Sequence, residues 1–288
     1  MKTKIKQKKD SAFRASMRRL RKNKTAMVCL VIFLLFIILA ILAPYITPYG
    51  YSEMNLASKN QTPNWQHWFG TDDLGRDIFT RVLYGGRYSL SISLIAVICS
   101  LLIGLVLGSI AGFFGGVVET LIMRFLDIFQ SIPDLIMTIA ISAALGAGFD
   151  KTVIALCISR MPTFTRILRA NIMSVRNNEY VEAATAIGCS RLQVIVKYIL
   201  PNSWTPLIVQ ATMASAGLIL SLASLSYVGL GIQPPTPEWG AMLSAARGYI
   251  RDYPYQLIFP GLAIATVVLC LNMLGDGLRD ALDPKLKD

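Results

Sequence analysis

Histidine is nearly missing from this chain. His67 is the only one among 288 residues. No histidine-activated nucleophile and no metal-ligand cluster can be assembled around it, so it is expected to be a surface or packing residue. Cysteine is present five times, at Cys29, Cys99, Cys157, Cys189 and Cys270, but never as a CxxC pair. Neither a disulfide framework nor a zinc site follows from that spacing. No GxxxxGK[ST] stretch occurs, so the chain is not expected to hydrolyse ATP itself. Charged residues make up only 16%, and no set of them supports a membrane enzyme.

What fills the chain instead is apolar. Hydrophobic residues reach 54% and the mean hydropathy is +0.53, too apolar for a soluble domain of mixed surface. The net charge of +11 suggests nucleic acid at first sight. Its placement argues otherwise. Residues 1–24 hold eleven Lys/Arg and one acid, Asp10, which is +10 of the +11. A basic run abutting an apolar segment is the positive-inside signal, and it places the N-terminus in the cytoplasm. The same run suits anionic lipid headgroups.

Ala26 to Ala43 is free of charge and long enough to span a bilayer. It exceeds a signal-peptide core and lacks a convincing cleavage site near Pro44, so it reads as a retained anchor. Pro44 to Arg87 is polar and rich in turn formers, with balanced charge, as expected outside. Asp72, Asp73, Arg76 and Asp77 are placed there for an ion-pair network, and a structural loop is favoured over a substrate contact.

The second span is expected at Leu90–Phe114, with Gly104, Gly108 and Gly112 at the four-residue spacing that lets helices pack closely. Val117–Gln130, with Glu119, Arg124 and Asp127, reads as an amphipathic helix at the inner surface. Ser131-Ile132-Pro133 interrupts it before a short third span at Leu135–Ala147, which begins before Pro133, with Asp134 at its interfacial mouth. The fourth span, Thr152–Leu168, carries Arg160 and Arg166 and is interrupted by Pro162. Arg160 has two readings, a cation facing a pathway and a side chain snorkelling to the cytoplasmic edge. Spans five and six are expected at Trp204–Ile232 and Leu257–Leu274, with Gly240–Tyr255 outside or half-inserted between them.

Between spans four and five lies Glu179–Pro201, itself amphipathic. Its pattern predicts two short helices joined at Gly188. The first has Asn178 as N-cap, its side chain bonding a free N–H, and ends at Ile187, with Gly188 left-handed. The second starts from a capping box of Ser190 and Gln193 and presents Leu192, Ile195, Val196 and Ile199 on one apolar face. Pro201 is expected to stop it. Ala183, Ala184, Ala186 and Gly188 make a small-sided surface edged by Glu179 and Glu182. On these features alone, a docking knob and an ordinary interfacial helix both stand.

Glu182-Ala183-Ala184, then Gly188, then Leu200-Pro201, resembles the EAA loop of ABC importer permeases. A second stretch, GTDDLGRD at 70–77 followed by YGGRYSL at 84–90, resembles the C-type permease of dipeptide, oligopeptide and nickel importers. The run Gly229–Gly240 and the ending Leu274–Pro284 are similar to the same branch. The resemblance covers nearly all of the chain after residue 25. Tyr198 departs from a frequent isoleucine and Met161 from a typical tryptophan.

The resemblance implies an all-α polytopic membrane protein of the type I ABC importer permease fold. It has six transmembrane helices and both termini in the cytoplasm of a bacterial cell. The expected segments are a basic N-terminal piece (1–25), a first transmembrane helix (26–43), an extracytoplasmic segment (44–87) and a permease core (88–288). The core includes a cytoplasmic coupling loop at 178–201. Within it, Glu179, Glu182, Ala183, Ala184, Gly188, Leu200 and Pro201 would couple to the ATPase. Arg160 is the candidate pathway residue, and no metal site or catalytic residue is expected. The partners implied are a second permease, two ATP-binding subunits that hold ATP and magnesium, and an extracytoplasmic binding protein, with no nucleic acid. The cargo reading is di- and oligopeptides, with nickel or glutathione as alternatives. A channel or secondary transporter, working without ATPase subunits, is the reading of another class.

Overall fold

The computed structural model describes residues 12–282. The basic residues from Lys2 to Lys9, and Asp283-Pro284 of the ending, lie outside the described residues. The described chain is helical. A basic helix α1 (Ala12–Lys22) turns at Asn23 into α2 (Lys24–Ile46). The Asn23 side chain accepts from the amide of Ala26 at 3.1 Å and so satisfies one free donor of the new helix. Leu20 of α1 packs with Ala26 and Ala281, pinning the basic helix to the end of the chain.

Residues 47–77 form an irregular segment held by backbone bonds between its limbs, such as the Thr71 amide to the Gln61 carbonyl at 3.0 Å, and by side-chain bonds. Asp72 accepts from Arg76 Nε at 2.6 Å and from the amides of Leu74 and Arg76. Asp73 reaches Arg76 only at 4.0 Å, and Arg81 joins through Asp72 at 3.6 Å. Asp77 has another task. One oxygen caps the next helix through the Thr80 amide at 2.7 Å, and the other meets His67 Nδ1 at 2.9 Å. His67 is therefore a buried packing residue. Gln256 donates to Asn60 and to the Thr71 carbonyl, which ties the segment to the last helix.

With Asp77 as its cap, α3 (Ile78–Phe114) starts twelve residues before Leu90, where the apolar run alone placed the span. At 1.5 Å per residue it is about 55 Å long. Then come α4 (Gly116–Gln130) and α5 (Asp134–Leu145), bent by 85° across the break at Pro133. Next, α6 (Phe149–Arg176) passes through Pro162 without interruption. A proline removes one helical bond, but Pro162 is buried among neighbours that hold the helix in place. After α7 (Glu179–Ala186), the chain from Arg191 to Tyr227 is continuous: α8 (Arg191–Gln193), a π-helical turn at Val194–Ile199, and α9 (Leu200–Tyr227). Pro201 does not stop it. It follows closely on the π-helical turn, a local adjustment that accommodates the N–H a proline cannot supply.

The stretch expected outside or half-inserted holds α10 (Trp239–Ala246), which is buried on α3, α9 and α11 (Tyr255–Leu282). Its polar groups are satisfied internally. Glu238 caps α10 through the Gly240 and Ala241 amides, both at 2.9 Å, and accepts from Ser89. Burial pushes the Glu238 carboxyl above its usual range, against the lowering effect of those bonds. Trp239 donates to the Val82 carbonyl at 2.9 Å and lies against Gly85 and Gly86. Trp239→Ala is expected to cost about 3–5 kcal/mol, read as a lowered thermal unfolding midpoint of the purified protein.

Among the described residues, four helical stretches are long and apolar enough to cross a membrane: α2, α3, Arg191–Tyr227 and α11. The bent α4–α5 pair makes a fifth if it is one span. The helix α6 is about 42 Å long but carries Arg160, Arg166 and Arg169. Those charges are paired across one seam. Glu119 meets Arg169, Asp127 meets Arg166, and Asp134 meets Arg160 at 3.2 Å. The other seam of α6 is against α3, through Gly104, Gly108 and Gly112.

Candidate docking surface

Local bonds close the 178–201 loop between its two helices. At the end of α7, the Cys189 amide donates to the Ala184 carbonyl at 3.1 Å and the Gly188 amide to the Thr185 carbonyl at 3.0 Å. This is a Schellman closure, and it requires the left-handed backbone found at Gly188, φ +87°. Ser190 and Gln193 form the expected capping box, with bonds of 2.9 and 3.3 Å. Asn178 sits at the N-cap of α7 but makes no capping bond. Its side chain is turned toward the Tyr180 hydroxyl, so that helix start is left to solvent.

The two helices seat themselves with Val181, Ala184, Val194 and Ile199 in the main core beside Phe164, Leu168 and Ile172. Two expectations are corrected here. Ala184 is only 3% exposed, so it belongs to the seat and not to the outward surface. The apolar set Leu192, Ile195, Val196 and Ile199 does not share one face. The π-helical turn takes more residues per turn, and it brings Val194 and Ile199 inward while Leu192 and Val196 face out.

The outward surface is therefore more apolar than its alanines imply. Ile187 is 77% and Leu192 71% exposed, and Tyr180 and Val196 are exposed too. Glu179, Glu182, Ala183, Gly188 and Pro201 are exposed, and Leu200 is half-buried. Neither Glu179 nor Glu182 has an ion pair among the described residues, so both remain free acceptors. A groove of about 550 Å³ runs between Phe113, Arg176, Glu182 and Val194. Arg176 closes its floor by donating to the Gly112 and Phe113 carbonyls at the end of α3. Sequence pattern does not single out Ile187 and Leu192 as surface residues. The signal lies in their positions: one precedes the left-handed glycine, and the other is in the first turn after a capping box.

Arg160 stands apart from this surface, at the junction of α5, α6 and α9. Besides its pair with Asp134, one guanidinium nitrogen lies 3.1 Å from where a β-carbon on Gly217 would stand, and its Nε has no hydrogen-bond partner among the described residues. The arginine is only 22% exposed while Asp134 is 45% exposed, so the pair opens on the acid's side.

The arrangement of helices is shared with solved transporters. A chain of the MetNI methionine ABC transporter, in an inward-facing conformation, superposes with a TM-score of 0.57 over 72% of this chain and 98% of that one, at 17% identity. A chain of an amino acid ABC transporter crystallised with histidines gives 0.53 over 69% and 92%. The fold is therefore that of the membrane-spanning chains of these transporters. The chain belongs to the family of binding-protein-dependent transport system inner membrane components, whose family model matches residues 104–288. Residues 11–63 match the N-terminal transmembrane domain of oligopeptide transport permease C. The dipeptide transport system permease protein of Alkalihalophilus pseudofirmus is 47% identical, covering 96% of this chain and 91% of that one. The glutathione transport system permease protein of Escherichia coli is 44% identical, covering 94% and 89%.

Proposed function

We propose that this chain forms half of the translocation pathway of an ATP-driven importer for di- and oligopeptides. The observation that carries this is the exposed Glu179–Pro201 turn, closed by local bonds, in a chain 47% identical to a dipeptide permease. It crosses the membrane six times, by α2, α3, the α4–α5 pair, α6, Arg191–Tyr227 and α11. The basic N-terminal segment sets both termini and the turn in the cytoplasm of the bacterial cell. A second permease completes the pathway, and a binding protein delivers cargo from outside. Two ATP-binding subunits hold ATP and magnesium, so hydrolysis occurs in them and not in this chain.

In this mechanism the surface of Glu179, Glu182, Ala183, Gly188 and Pro201, with Ile187 and Leu192, seats in the ATPase. Ala184, Leu200 and Val181 transmit its movement to the core on which they pack. Coupling requires that the turn bind the two ATPase states with different strength, since equal affinity shifts nothing. Arg160, opened to one side through Asp134, is the pathway cation. Arg160→Ala is expected to slow transport while leaving ATPase binding unchanged.

Glutathione is the second cargo reading, because a relative named for its transport is nearly as similar. The test is ATP hydrolysis by the reconstituted complex with its binding protein, given dipeptides, glutathione or nickel. Stimulation by dipeptides is the expected result. Stimulation by glutathione or nickel alone would keep the architecture and replace the cargo. Transport without any ATPase subunit would overturn the reading.

A further inference from the structure

A cavity of about 520 Å³ lies between α2, α3, α9 and α11, toward the end of α2 remote from the basic segment. Its wall is apolar: Phe33, Ile37, Ile41, Leu90, Leu94 and Ile219. The hydroxyls that reach it are spent. Ser91 donates to the Tyr88 carbonyl, Ser93 to Ser89, and Ser215 to Ala211, each within its own helix. A wall with no free polar group does not hold water or a polar solute. One polar group stands at the rim. Arg87 is exposed, lies 5.8 Å from the ring of Tyr84, and has no carboxylate within ion-pair distance among the described residues.

The depth fits an amphiphile. Arg87 precedes the apolar run of α3 by three residues. Its neighbour Gly86 packs on Ala40 of α2, where a β-carbon would lie 3.3 Å from that of Ala40. Ala40 is six residues from the end of α2, about 9 Å by helical rise. From that level an arginine reaches the headgroup region with its stem in the apolar layer. Where the cavity opens, its lining residues Ile41 and Leu94 are large and exposed. Helices that pack on one another in a membrane present small residues, so this rim suits lipid better than a second helix.

We infer that this cavity is a phospholipid site, one acyl chain filling it and the phosphate paired with Arg87. The lipid fills the space between α2 and the other three helices, so the first span is held to the core partly through it.

The test uses the assembled complex, purified from nanodiscs of phosphatidylglycerol and phosphatidylethanolamine and then stripped with detergent. Retained phospholipid is counted by native mass spectrometry. The wild type is expected to keep one phospholipid at this chain. Arg87→Leu should lower retention about fivefold, the worth of one cation near an anionic headgroup. Arg87→Lys should restore it, and Ser215→Leu should lower it by filling the cavity. Unchanged retention in both Arg87→Leu and Ser215→Leu would overturn the site. A photoreactive side chain at Ile41, in otherwise wild-type complex, supplies a readout that does not depend on those variants folding. Crosslinking to lipid supports the site, and crosslinking to the second permease overturns it.

Discussion

Gly188→Leu is expected to reduce ATP-driven uptake by about tenfold or more, a loss of ~1.4 kcal/mol or more at the docking surface, while the protein still inserts and assembles. The reasoning separates two costs. Inside the chain, a β-carbon at Gly188 meets nothing within 4 Å. The only internal penalty is the left-handed backbone at φ +87°, about 1–2 kcal/mol for a non-glycine residue. The Schellman bonds and the capping box hold the turn against that strain. Outside the chain, leucine projects from the surface that the proposed docking brings close to another protein. A second variant, Gly188→Asn, distinguishes the two. Asparagine tolerates the left-handed backbone, yet it still adds a projecting side chain. The asparagine variant should therefore fail as well if docking is at stake, and recover if strain is. Uptake and cargo-stimulated ATPase activity in proteoliposomes, with assembly followed by size-exclusion chromatography, decide this. Normal uptake by the leucine variant would remove the turn from coupling.

A larger structural effect is expected at Gly108. A β-carbon there would stand 2.8 Å from the carbonyl oxygen of Thr165, 3.0 Å from the β-carbon of Leu168 and 3.3 Å from the amide of Arg169. Two of these atoms are backbone, so no rotamer change makes room. Gly108→Leu must push α3 and α6 apart. Gly104 and Gly112 on the same seam would lose their contacts with Phe164 and Ile172. Movement of α6 would also disturb the pairs of Arg166 with Asp127 and Arg169 with Glu119. Overpacking a core typically costs about 1–3 kcal/mol; the β-carbon alone already presses on α6 backbone, and the further carbons of leucine take Gly108→Leu beyond that range. The expected result is little or no monodisperse protein after membrane extraction, with Gly108→Ala giving a smaller loss within the usual range. A Gly108→Leu protein that eluted and unfolded like wild type would contradict the close approach of these helices.

The bland and the functional residues separate cleanly by where their determinants lie. Apolar runs, basic flanks, the capping box at Ser190–Gln193 and the left-handed Gly188 were legible because each depends on residues within one or two turns. The periodic glycines of α3 were legible as a close-packing face for a similar reason, since four-residue spacing keeps them on one side of a helix. Helix starts were less legible. Asp77 begins α3 among polar residues, where hydropathy says nothing, because a cap acts through hydrogen bonds and not through burial.

The sequence by itself determined that the chain is an apolar helical protein with a basic start, a two-helix turn joined at Gly188 and no ATP-binding loop. Local hydrogen bonding and transfer free energy suffice for those properties. Only the tertiary structure decided that Pro162 and Pro201 stay inside continuous helices, since surrounding helices hold α6 at Pro162 and a π-helical turn accommodates Pro201. It also decided that Ala184 faces inward while Ile187 and Leu192 face out, because the π-helical turn shifts which residues meet the core. And it decided the partners of Arg160, Arg166 and Arg169. Their acids, Asp134, Asp127 and Glu119, are distant in sequence and come into reach only when the bent α4–α5 pair lies along α6.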